Sequence, residues 1–222
     1  MIQKFLGAFI AALASALVLS GPVAATPAKE APWLPEAAAY RLTLFLGNLE
    51  PLPWDDIETA WTEPYRGSEF SVGALAWLDR KSDIEPDGLL DAIMREDLQA
   101  VFAEATRLVA LRIEENLDRA LAAEESATAQ LAVQTARELY RAFEDGIAAA
   151  DPEAARRIGL AWLELNSSTG SVGVLGAGAT SADRDTMEAA RAVISGYLAE
   201  NYLLDSFAPR RTLSALPETA VL

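Results

Sequence analysis

The 222-residue chain contains neither histidine nor cysteine. Ser-His-Asp and Cys-His nucleophilic catalysis are therefore ruled out, and so are the imidazole and thiolate ligands on which zinc and copper sites depend. Only three lysines are present, Lys4, Lys29 and Lys81. The other cations are arginines, which keep their proton at any ordinary pH and cannot act as bases. Any chemistry must come from carboxylates, tyrosines and hydroxyls. The 33 Asp and Glu residues against 18 Lys and Arg leave a net charge of −15. That sign disfavours nucleic acid and anionic membrane surfaces and favours cations or a basic protein surface. Two carboxylates can act as acid and base in a hydrolase. Here, however, the acidic residues fall at ion-pair spacing from arginines along helices: Glu115 with Arg119, and Glu138 and Asp145 with Arg141. Solvated, paired faces are the expectation, and enzyme activity is not.

Two groups of oxygen donors stand out. The stretch Asp83-Ile84-Glu85-Pro86-Asp87-Gly88-Leu89-Leu90-Asp91 resembles an EF-hand calcium loop. Its oxygen ligands fall at loop positions 1, 3, 5 and 9, glycine at 6 and a hydrophobe at 8. It departs from that pattern at position 12, where Met94 stands in place of a bidentate glutamate, and in having Pro86 inside the loop. An acidic turn that opens a helix accounts for the same residues. The second group is Glu114, Glu115, Glu138, Tyr140, Glu144 and Asp145. Carboxylates, with tyrosine for Fe³⁺, can hold a hard cation. Glu138 and Asp145 are seven residues apart, Tyr140 and Glu144 four, so each pair shares a helical face.

Other stretches invite a functional reading and also have a structural one. VGVLGAGATS, residues 172–181, has the look of a dinucleotide-binding turn. The third glycine of that motif would fall on Ser181, and the segments before it are helical, so no cofactor is expected. The Gly-rich stretch 167–182 reads as a crossover loop. Trp54, Trp61 and Tyr65 cluster in a proline-punctuated segment. They are expected to cap the end of the core through their buried area, with a ligand-stacking pocket as the functional alternative.

The elements that must position these residues are helices. From Leu98 to Asn166 apolar residues recur every three or four positions: Leu98, Val101, Phe102, Ala105, Val109, Ile113, Leu117 and Leu121, then Ala132, Ala136, Tyr140, Phe143 and Ile147, then Ile158, Ala161, Trp162 and Leu165. Short polar breaks between them predict antiparallel neighbours. Pro35 opens a first helix ending near Gly47. A short helix is expected around Asp55–Trp61 and another over Phe70–Asp79. Asp151-Pro152-Glu153 is a helix start with Asp as N-cap and Pro at the first helical position. Ser181 is expected to cap a last helix with Met187, Ala190, Ile194, Tyr197 and Leu198 on its inner face.

The ends imply export. One charge, Lys4, precedes an apolar run from Phe5 to Ser20, and Val23-Ala24-Ala25 supplies small residues before a cleavage point. Residues 1–25 are expected to be a signal peptide, residues 26–34 a flexible lead-in, residues 35–204 a helical bundle domain and residues 205–222 a loosely ordered tail. The mature chain is expected to be periplasmic and to lack a transmembrane span. It would be stabilised by its core alone, since it has no disulfides.

Residues 134–166 carry an A-x-x-x-Y-x-x-F-E run followed by a helix started by Asp-Pro. The matching positions are Ala136, Tyr140, Phe143, Glu144, Asp151, Pro152, Ile158 and Leu165. This pattern resembles the extracytoplasmic helical segment of bacterial high-affinity iron permeases, although Ile147 stands where that segment often has a further acid. The resemblance implies an accessory role in iron uptake beside a membrane transporter. Imelysin-like iron proteins are likewise exported helical bundles, but their histidine-containing motif has no counterpart in this chain. The sequence thus predicts an all-α, single-domain, up-down helical bundle behind a cleaved signal peptide. Two functions are expected of it. One is a non-enzymatic binding or accessory protein for iron or another hard cation. The other is a structural or interaction module that docks a partner protein, in a form that Ca²⁺ could stabilise.

Overall fold

Capping residues and prolines divide the chain where the sequence places its breaks. The computed structural model describes residues 34–64, 71–170 and 180–202, and eight helices run through them with no β-strand among the described residues. They are α1 Pro35–Leu46, α2 Trp54–Thr62, α3 Ala74–Lys81, α4 Asp87–Met94, α5 Leu98–Ala122, α6 Ser126–Ala150, α7 Pro152–Ser168 and α8 Arg184–Tyr202. The expected signal peptide and lead-in through residue 33, Tyr65, most of the Gly-rich stretch and the tail from residue 203 lie outside the described residues.

Local chemistry explains the starts. Asp97 accepts from the Ala100 amide at 3.1 Å and caps α5; Asp151 does the same for α7 from Ala154 at 2.9 Å, with Pro152 at the first helical position. Each satisfies a backbone donor that a helix start leaves orphaned. The last helix is capped by Asp183, not Ser181: Asp183 accepts from the Thr186 amide at 3.2 Å and from its hydroxyl at 2.8 Å. Aspartate takes both donors at once, which one serine oxygen does less well. The helix expected over Phe70–Asp79 starts later, at Ala74, because Gly73 is extended and its backbone lies against α2.

The four long helices form an up-down set in which α5 packs on α6, α6 on α7, α7 on α8, and α8 returns to α5. α1 crosses α5 and α6, α4 packs on α5, and α2 and α3 pack beside α1. This leaves α5 surrounded. Val101, Ala105, Leu108, Val109, Leu111, Ile113 and Leu117 are all buried, and they lie on more than one side of the helix. α7 contacts only α6 and α8 among its main neighbours, so its outer stripe faces solvent.

Candidate functional site

The expected metal-binding carboxylates occupy separate places. Glu115, on α5, accepts from Arg112 at 2.5 Å, Arg119 at 2.7 Å and the Ser82 hydroxyl at 2.8 Å. On α6, Glu138 pairs with Arg141 at 2.6 Å and Glu144 with Arg137 at 2.6 Å, while Asp145 is exposed. Tyr140 points into the core, with its ring 5.5 Å from that of Trp162. Burial, and then the negative charge of Glu144, push the Tyr140 hydroxyl up to about 12, with Arg137 opposing. A phenolate is thereby disfavoured. Among the described residues, no group of three or more acidic side chains is placed to hold a metal ion.

In the 83–91 stretch, α4 begins at Asp87, so Asp87 and Asp91 lie one turn apart on a helix. Asp83 is exposed and Glu85 half-buried, and the Glu85 carbonyl accepts from Arg107 at 3.4 Å. Gly88 has a packing reason to be glycine: a Cβ there would stand 2.9 Å from the Glu104 carboxyl carbon. Glu104 in turn accepts from Arg107 at 2.6 and 2.8 Å.

The expectation of solvated acidic faces misses the interior. Glu36 is fully buried on α1 and accepts from Arg112 at 3.2 Å; Arg112 also reaches the Lys81 carbonyl at 3.3 Å. Burial raises the Glu36 pKa, against the pull of Arg112 and of a hydrogen bond from Trp77. On the other side of α5, buried Glu114 accepts from the Ser195 hydroxyl at 2.7 Å and lies 3.5 Å from Arg191, which also pairs with Asp118. The signal that could have found these residues is their position: 104, 107, 112 and 114 fall on a helix whose apolar residues leave no continuous polar stripe.

Two of the surface concavities among the described residues bear on the expected sites. One, of about 340 Å³, lies between α1 and α2 and is lined by Leu42, Leu46, Asp56, Thr59, Ala60 and Glu63, with Pro64 at its edge. Of the aromatics expected near that end, Trp61 is a core residue whose indole N–H donates to the Thr43 hydroxyl at 2.8 Å, and Trp54 packs partly buried against the core. The other concavity, of about 280 Å³, runs between α6 and α7. Val133, Gly159 and Trp162 form its apolar lining, Gln134, Asn166, Arg137, Arg141 and Glu138 its polar lining, and Leu163 one rim.

Two buried side-chain donors in the wall of the α6–α7 groove lack an acceptor, as Arg107 Nη1 does in the core. Arg137 Nη2 goes to Glu144, but its Nη1 is buried without an acceptor. The indole N–H of Trp162, a residue only 4% exposed, also lacks one. The Arg137 guanidinium lies 5.2 Å from the Tyr140 ring centroid and 5.8 Å from that of Trp162, so the aromatic faces hold it in place. Leu131 at 65%, Leu160 at 56% and Leu163 at 68% exposure stand on the outer faces of the same two helices. The arrangement suits recognition: a held guanidinium beside exposed apolar surface.

The fold and the groove define an all-α bundle with an arginine-and-leucine face. No family model, curated protein or solved structure matches the chain.

Proposed function

We propose that this chain is an exported, non-enzymatic interaction module, a periplasmic helical bundle that docks a partner protein through its α6–α7 face. The observation that carries the reading is the exposure of Leu131, Leu160 and Leu163 around the α6–α7 groove. Exposed apolar surface of this kind is what a docked partner would remove from water. The apolar run Phe5–Ser20 supports export. The lack of His and Cys, and the pairing of Glu115, Glu138 and Glu144 with arginines, favour recognition over catalysis. The direct test places a photo-crosslinking residue at position 163, with position 188 on α8 as control, in the producing cell. A discrete protein adduct from 163 alone supports the module; no adduct, or equal adducts from both, sinks it.

The net charge of −15 favours a second reading, an accessory protein in hard-cation uptake that hands iron to a membrane transporter. It would need Glu138 and Glu144 to exchange arginine for the cation, with Asp145 near by. Asp83, Glu85, Asp87 and Asp91 would be the Ca²⁺ counterpart. A cation held only by the folded state raises the melting temperature in proportion to ln(1 + [L]/Kd). A rise with Fe³⁺ or Ca²⁺ that EDTA reverses would establish it; identical melting in all three conditions would eliminate it.

A further inference from the structure

We propose that the seam between α5 and α8 is a latch opened by rising pH: α8 leaves α5 when the buried Glu114 carboxyl gives up its proton, while α5, α6 and α7 stay packed together. The latch works whether or not the α6–α7 face docks a partner.

The chemistry of the seam favours opening once Glu114 is charged. The Glu114 side chain is fully buried; one oxygen accepts from the Ser195 hydroxyl at 2.7 Å and the other has no donor. The groups that act on it most come from these two helices alone, Ser195 and Arg191 from α8 and Asp118 from α5. Arg191 lies 3.5 Å from Glu114 and also pairs with Asp118, so one guanidinium faces two acids. Burial, and then the charge of Glu115, raise the Asp118 pKa as well, with Arg191 opposing. With Glu114 protonated, the seam holds one ion pair. With Glu114 ionised, it holds an excess negative charge away from water, and admitting water relieves it. Burial holds the Glu114 pKa up at about 7 in the closed seam, and exposure returns it toward 4.5. Closure is therefore favoured most below about 4.5, and that preference is lost as pH rises to about 7.

The chain path lets this seam part without the others. Residues 123–125 alone join α5 to α6, and Asp151 alone joins α6 to α7, so those neighbours are tied as hairpins. Residues 169–183 separate α7 from α8, and α8 meets α5 with no direct link between them. Besides the cluster, α8 is held by its buried Met187, Ile194 and Leu198, and by Arg184, which donates to the Leu121 and Ala123 carbonyls at the end of α5. A helix draws most of its stability from packing, so the backbone amides of α8 lose protection once it parts from α5.

Hydrogen exchange read by mass spectrometry on the full chain at pH 6 and pH 8 tests the latch. Correcting each rate for the intrinsic exchange rate at that pH gives an opening constant. Peptides from α8 should open more readily than those from α6 and α7 at both pH values. Their opening constant should rise about tenfold from pH 6 to pH 8, as a carboxyl released from about 7 to 4.5 implies. Glu114→Gln should flatten that rise. Asp118→Asn replaces a partly exposed acid and leaves Arg191 to Glu114, so it should shrink the rise. Opening constants for α8 equal to those of α6 and α7 would mean that the bundle unfolds as a whole. That result overturns the latch even if Glu114 sets overall stability. A tenfold rise that persists in Glu114→Gln also overturns it, as does a rise of wild-type size in Asp118→Asn.

Discussion

Replacing Glu114 by glutamine should stabilise this protein by about 3 kcal/mol at pH 8 and by less than about 1 kcal/mol at pH 5. The carboxylate is fully buried between α5 and α8. One oxygen accepts from Ser195 and the other has no donor. Its cationic neighbour Arg191 is shared with Asp118, so with both acids ionised the cluster buries two negative charges against one positive. Burial pushes the Glu114 pKa up to about 7 from 4.5, with the Ser195 hydrogen bond and Arg191 opposing and Asp118 reinforcing.

A carboxyl group that holds its proton more tightly when folded stabilises the fold most below the unfolded pKa. The advantage is lost as pH rises from about 4.5 to about 7 and is gone above that. A shift of about 2.5 units at about 1.4 kcal/mol per unit sets the loss at about 3 kcal/mol. Glutamine mimics the protonated form. It keeps an acceptor for Ser195 and leaves Arg191 to Asp118, and its amide nitrogen faces the same lack of a partner as the acid proton. Urea denaturation followed by circular dichroism at pH 5, 6, 7 and 8 should therefore show Glu114→Gln diverging upward from wild type by up to about 3 kcal/mol. Taking the difference cancels the other titrating groups, Glu36 among them. A difference that is flat across the four pH values, or one in which the variant is weaker at pH 8, would refute the assignment of a raised pKa to this network.

Three further substitutions probe the rest of the interior. Arg112→Met should cost about 3–5 kcal/mol in denaturant titration, because it strands Glu36 without its cation, and adding Glu36→Gln should recover part of the loss. Thr43→Val should cost about 1–3 kcal/mol: the Thr43 hydroxyl donates to the Ala39 carbonyl at 2.8 Å while accepting from Trp61, and valine leaves the buried indole N–H unpaired. Trp61→Phe in the Thr43→Val background should then add less than it does alone, as a double-mutant cycle would reveal. Gly73→Ala should lower stability by about 1–3 kcal/mol, since its Cβ would lie 2.3 Å from the Thr62 carbonyl oxygen and only backbone movement could relieve the clash.

The fold was legible because α5, α6 and α7 state their period and their caps in local sequence. Asp151-Pro152 marks a helix start by itself, and Tyr140, Phe143 and Ile147 mark a buried face. The pairs Glu115–Arg119 and Glu138–Arg141 were legible for the same reason, since each is a matter of spacing along one helix. What could not be read is everything that depends on which helix faces which. Glu36 and Arg112 are 76 residues apart, and Glu114 and Ser195 are 81 apart. No periodicity within α1, α5 or α8 announces those partners. Likewise, Gly88 reads as part of a calcium loop until Glu104 arrives from another helix to occupy the space beside it.

Those long-range pairs also bear on what this surrounded helix can do. α5 places Arg107 and Glu104 toward α4, Arg112 toward α1 and the 81–82 turn, and Glu114 and Asp118 toward α8. Each neighbour is therefore matched to α5 by its own ionic contact. A register slip of α8 along α5 would strand Glu114 and Arg191 together, at a cost several times that of shifting one apolar side chain. Buried charge of this kind adds little net stability, but it makes wrong packings worse than the right one. The α6–α7 face differs in carrying apolar rather than ionic contacts at its edge, where Leu131, Leu160 and Leu163 are exposed to a second molecule.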